Sequence, residues 1–130
     1  MLGRMASKSR KSSPAPVLQP RLRVTVGGDI AIGPGKAELL AHIGETGSLA
    51  DAAKAMGMSY MRAWTLIRTM NRCFKQPLVN ASRGGRDRGG TGLSETGRQA
   101  LALYQKMNRA SQVATRRDWS RLQRLLSTTA

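Results

Sequence analysis

Seven residues between positions 59 and 72, namely Ser59, Tyr60, Met61, Arg62, Thr65, Arg68 and Arg72, carry the groups with which a protein touches a nucleic acid. Guanidinium and hydroxyl groups on one helix face match the donors and acceptors that base edges present in a major groove about 12 Å wide. Ser59, Tyr60, Met61, Arg62 and Thr65, nearer the helix start, are expected at base edges. Arg68 and Arg72 are expected at phosphates. A second cluster follows, in which Arg83, Arg86 and Arg88 stand among four glycines between Ser82 and Thr91. Such a loop suits a place in or beside a minor groove, where arginine is favoured. Tyr60 is open to two uses, its hydroxyl on a phosphate or at the edge of the core. Trp64, between Ala63 and Ile67, reads as a core residue that locks the helix.

These side chains need elements to hold them. Leu22, Val24 and Val26 alternate with Arg23 and Thr25, then Gly27-Gly28-Asp29 intervenes before Ile30-Ala31-Ile32, which predicts a hairpin turned by glycine. Gly33-Pro34-Gly35 opens a first helix near Lys36, with Leu39, Leu40 and Ile43 at helical spacing until Gly44 and Gly47 weaken it. Ser48 lies three residues before Asp51, a capping-box-like start for a short second helix with Leu49, Ala52, Ala53 and Met56 on one face. Ala53 is small where two helices would cross, and Gly57 permits a tight reversal. Ser59 then caps a third helix whose inner positions are Tyr60, Ala63, Trp64, Ile67, Met70, Asn71 and Phe74, ended by Pro77. Leu78–Ala81 and Gly92-Leu93 are short strand candidates around the Gly/Arg loop. Ser94 caps a long helix with Leu101, Tyr104, Met107, Ser111 and Ala114 on one side, and Asp118 is expected to cap a further piece through Leu126. An unbroken helix from 95 to 126 would span roughly 48 Å, so part of it is expected to project or meet a partner.

Charge narrows the partner. The 130-residue chain has 22 Lys and Arg against 7 Asp and Glu, a formal charge of +15, which points to a polyanion. The acids concentrate in the segment of the first two helices, and the cations before and after it. Cys73 is the only cysteine and His42 the only histidine, so no intramolecular disulfide is possible and neither a metal site nor a catalytic site is expected. Met56, Met70 and Met107 fall on apolar faces and read as packing. No apolar run approaches the roughly 20 residues of a membrane span. A reducing cytosol, in association with the nucleoid, is the expected location.

The run Gly47–Asn71, with Ser59-Tyr60, Ala63-Trp64, Ile67 and Met70-Asn71, the Gly-rich loop, and Leu93-Ser94 followed by Gly97, resembles the DNA-binding domain of the ModE family of molybdate-responsive regulators, related to the LysR-type winged helices. The likeness spans roughly residues 22–115. It implies a homodimer joined through the long C-terminal helix and the N-terminal hairpin, reading a palindromic site. In the family's full regulators a second region binds molybdate or tungstate. This sequence ends before any such region, so oxyanion sensing is not expected to carry over, and no cofactor or small-molecule effector is assigned.

The expected architecture is mainly α with small β elements: a disordered basic tail over 1–20, a winged helix-turn-helix over 21–115 and a helical extension over 116–130. The expected function is regulation of transcription through sequence-specific binding of double-stranded DNA. A nonspecific nucleoid-associated or RNA-binding protein is the alternative. The scarcity of exposed aromatic platforms favours duplex over single strands.

Overall fold

The computed structural model describes residues 14–81 and 91–127. It is mainly helical with two small antiparallel hairpins, as the sequence patterning predicts. Strands β1 (Val24–Val26) and β2 (Asp29–Ile32) are joined by Gly27 and Gly28, both at positive φ. A two-residue turn of this kind matches the right-handed twist of its strands, and glycine adopts it without a steric penalty. Asp29 is therefore the first residue of β2 and pairs with Val26 rather than belonging to the turn.

Helix α1 (Pro34–Thr46) starts earlier than Lys36. Pro34 occupies its first turn, where a missing N–H costs nothing and the fixed φ suits the helix. Gly44 does not break it; Leu93 lies against that position, which leaves little room for a Cβ. Gly47, at φ 69°, ends the helix, its N–H donating to the Ile43 carbonyl. Helix α2 (Leu49–Ala55) is short, and the Ser48 hydroxyl caps it by accepting from the Asp51 N–H at 3.1 Å.

Helix α3 (Tyr60–Cys73) is capped by the Ser59 hydroxyl, which accepts from the Arg62 N–H at 3.0 Å. It ends before Pro77 exerts any effect, because Phe74 already adopts an extended conformation. The last helical turn instead supplies Asn71, whose Oδ1 accepts from the N–H of Leu78 at 2.8 Å and of Val79 at 3.4 Å. The chain must reverse within Phe74–Pro77 to bring those amides to Asn71. Strands β3 (Val79–Ala81) and β4 (Thr91–Leu93) follow, paired in register from Val79 with Leu93 to Ala81 with Thr91.

The core of the unit Arg21–Asn108 is aliphatic, as the shortage of aromatic residues demands. Leu39, Leu40, Ile43, Ile67, Met70 and Leu78 are fully enclosed. Helix α4 (Glu95–Ala114) joins this core through Ala100, Leu101 and Tyr104. At its start the Ser94 hydroxyl accepts from the Gly97 N–H and donates to the Pro77 carbonyl at 2.6 Å. Gly97 lies so close to Leu78 that a Cβ there would collide with the Leu78 carbonyl. The Tyr104 hydroxyl donates to the Leu22 carbonyl at 2.7 Å, tying the fourth helix to the approach of the first strand.

Three expectations for the C-terminal stretch need correction. Met107 is exposed rather than packed, because the core-facing stripe of α4 passes through Leu101 and Tyr104 and ends there. The second helical piece, α5 (Arg116–Gln123), follows Thr115 and stops short of Leu126. Asp118 lies in its first turn, a favourable place for a negative charge, but is not the cap. The Thr115 hydroxyl offers no side-chain cap either, since it donates back to the Ser111 carbonyl at 2.7 Å. Residues 109–127 form a second compact unit with the segment Pro14–Pro20, where Leu18, Trp119 and Leu122 line a small apolar cavity.

Candidate nucleic-acid interface

Helix α3 has two unlike faces. At about 100° per residue, Ala63, Ile67 and Met70 fall together, and all three are buried. Met61, Arg62, Thr65, Arg68 and Arg72 fall on the opposite side, and all five are exposed. Trp64 is half-buried against the core, as its neighbours predict. Tyr60 departs from the inner face on which the spacing puts it. It is 55% exposed, because the first turn of α3 overhangs a core whose first contribution from this helix is Ala63. Its hydroxyl is thus on the same surface as Ser59 and Met61, which is 65% exposed.

The angle at which α3 is presented is set by the turn before it. Met56 ends α2, Gly57 takes φ +67°, and the Gly57 and Met58 N–H groups return to the carbonyls of Lys54 and Ala53 at 3.0 Å each. This double closure satisfies the last carbonyls of α2 and requires a residue that tolerates positive φ. Ala52, Ala53 and Ala63 are all buried between the helices, which lets their backbones approach.

Along the exposed face, Thr65 donates its hydroxyl to the Met61 carbonyl at 2.9 Å, which orients the side chain and leaves its oxygen free to accept. Arg62 and Arg68 have no carboxylate partner among the described residues. Arg72, by contrast, reaches Asp29 of β2 at 3.4 Å. The surface therefore gathers Ser59, Tyr60, Met61, Arg62, Thr65 and Arg68 as exposed groups, of which Ser59 and Thr65 also bond to the helix backbone, and engages Arg72 in a solvent-exposed ion pair. Arg83, Arg86 and Arg88 lie outside the described residues.

The base of the β3–β4 hairpin is tied to the same helix through Asn71. Asn71 clamps β3, the Thr91 N–H donates to the Gly47 carbonyl at 2.9 Å, and the Ser94 N–H donates to the Leu78 carbonyl at 2.8 Å. Spacing alone puts Asn71 among the apolar positions of α3. The signal was its chemistry: an amide in an otherwise apolar stripe demands buried partners. No comparable signal marked Thr91. Among the described residues no group of three or more His, Cys, Asp or Glu side chains could hold a metal ion. No helix of the described residues is long and apolar enough to cross a membrane.

Fold and face together define a mainly helical, strongly basic chain that presents one polar helix surface beside a hairpin. Three relatives give that class a lineage. The chain is 42% identical over 84 residues to the molybdenum transport protein ModE of Azotobacter vinelandii, which is 65% of this chain and 31% of that protein. It is 36% identical over 81 residues to the DNA-binding transcriptional dual regulator ModE of Escherichia coli, 62% of this chain and 31% of the relative. It is 40% identical over 73 residues to the molybdenum-pterin-binding protein MopB of Rhodobacter capsulatus, 56% of this chain and 27% of the relative. No family model matches the chain. The chain carries a ModE-family N-terminal region, and it spans under a third of the length of these relatives.

Proposed function

We propose that this chain is a transcriptional regulator that binds duplex DNA sequence-specifically, as a homodimeric winged helix-turn-helix protein of the nucleoid. One observation carries the reading: α3 buries its apolar side and leaves Met61, Arg62, Thr65 and Arg68 outward, at an angle set by the Gly57 turn and the Ser59 cap. In this proposal Ser59, Tyr60, Met61, Arg62 and Thr65 meet base edges, and Arg68 and Arg72 meet phosphates. Arg83, Arg86 and Arg88 form the wing. The β3–β4 base supports that wing, since it is fixed by Asn71, Gly47 and Ser94 beside the same helix. Exposed Val24 and Val26 on β1, with exposed Leu103 and Met107 on α4, support an interface between two copies through the hairpin and the long helix.

The names of the relatives join two properties, DNA-binding regulation and molybdenum binding. The residues on the α3 face answer to the first. Selection of bound duplexes from a random pool tests the proposal, and the expected product is a symmetric site with half-sites about one helical turn apart. Arg62→Ala should relax base choice at one position of each half-site, at about 1–3 kcal/mol. Arg68→Ala should weaken all duplexes alike. Equal competition by selected and random duplexes would replace the regulator with a nonspecific architectural protein, and preference for single-stranded RNA would remove both.

A further inference from the structure

We propose that a basic cleft beside α3, lined by Arg21, Arg23, Lys36 and Arg62, seats the DNA sugar–phosphate backbone and extends the footprint beyond the α3 face. The inference rests on the proposed DNA-binding function and adds residues to it. The cleft has a volume of about 330 Å3 and lies between the approach to β1, the first turn of α1 and the N-terminal half of α3.

Three separate stretches of chain bring four cations to one place, and no carboxylate lines it. Gathering like charges is unfavourable unless an anion offsets it. Two cations elsewhere do face a carboxylate: Arg72 meets Asp29 at 3.4 Å and Arg98 meets Glu95 at 2.7 Å. Among the described residues, none of the four cleft cations has such a partner. Lys36 is half-buried and so gives up part of its hydration in a site that supplies no counter-charge.

The chemistry of the walls favours a nucleic-acid backbone over a bare ion. Ile30, Met58 and Leu66 give the cleft an apolar surface beneath its basic rim. A deoxyribose packs on the former while its phosphates meet the latter. Gly35 adds no side chain, and the space where its Cβ would stand is open. Arg62 belongs both to the cleft and to the outer face of α3, so one continuous duplex would touch both.

The test uses the full chain and a duplex it selects from a random pool, with affinity measured by fluorescence anisotropy across a salt series. Each phosphate that is no longer neutralised should lower the log–log salt slope by about 0.9. The variant combining Arg21→Gln, Arg23→Gln and Lys36→Gln should therefore lower the slope by up to about 2.7 per subunit, or about five for the proposed dimer, and weaken binding roughly tenfold or more at 0.15 M salt. The base preference recovered by selection should not change. A control combining Arg117→Gln, Arg121→Gln and Arg124→Gln in the α5 segment removes the same charge and should have a distinctly smaller effect. An unchanged slope in the cleft variant overturns the proposal, as does an equal loss in the control, which would reduce the effect to net charge. Tight, saturable uptake of inorganic phosphate that the cleft variant abolishes, with duplex affinity untouched, would also overturn it by assigning the cleft to a free anion. If the unmodified chain selects no sequence, the regulator reading fails. The cleft then stands or falls separately on whether its variant weakens binding to a random duplex.

Discussion

The turn before α3 and the hairpin after it flank the same helix, yet they are held by different kinds of bond. The α2–α3 turn closes on itself, with two backbone hydrogen bonds and one positive-φ glycine within six residues. Among the described residues the β3–β4 base has no such local closure. It hangs on Asn71 from α3, Gly47 from the end of α1, and Ser94 and Gly97 from the start of α4. One region is therefore set by its own residues and the other by its neighbours. The angle of α3 is expected to survive damage that displaces the hairpin.

The sharpest way to break this contrast is at Gly97. A Cβ there meets backbone rather than a flexible side chain, so α4 must move away from Leu78. Gly97→Ala should cost about 3 kcal/mol in urea unfolding. Next comes Asn71→Leu, which leaves the Leu78 and Val79 amides without their acceptor, at about 2 kcal/mol. Hydrogen exchange should quicken at those two amides while those of α2 keep their protection; equal acceleration in both would erase the distinction. Gly57→Ala tests the other side of the comparison. Positive φ with a Cβ costs about 1 kcal/mol, and the effect should stay within the turn.

The smallest expected effect is electrostatic. Hydrogen bonds from Arg98, then from Gln99, together with the Arg98 charge, hold the Glu95 carboxyl below the usual carboxylate range. A lowered folded-state value means that this contribution is present above the ordinary carboxylate range and is lost as pH falls through the lowered one. Because Glu95 is solvent-exposed, Glu95→Gln should only slightly flatten the acid limb of the stability curve. A carbon-detected titration of its carboxyl should show the depressed midpoint directly.

The same contrast explains what could be read from the sequence. Ser48, Gly57 and Ser59 act on residues three or four positions away, so spacing alone reveals their roles. The stripe Ala63, Ile67 and Met70 and the two-glycine turn are legible for the same reason. Asn71 and Thr91 act on partners that only the tertiary fold brings near, and periodicity put Asn71 among the apolar residues. Tyr60 fits the inner face by angle, but its burial depends on where the core ends, which no local pattern records. The end of α3 at Cys73 was hidden because Pro77 was the more conspicuous signal, while the reversal is organised by Asn71. The basic cleft was illegible for a related reason: Arg21, Arg23, Lys36 and Arg62 converge only after the hairpin has folded beside α3.

The bond from Tyr104 to Leu22 also has a meaning in time. A ribosome delivers Leu22 long before Tyr104, so the approach to the first strand waits for a donor that is among the last parts of the unit to be made. Helices α1 to α3 have short-range contacts to form as they emerge, whereas this closure links nearly the two ends of the unit Arg21–Asn108. Folds with many contacts of such sequence separation fold more slowly than those with local contacts. A nascent chain stopped before Tyr104 would already contain all of α3 but lack the donor that ties Leu22 to α4.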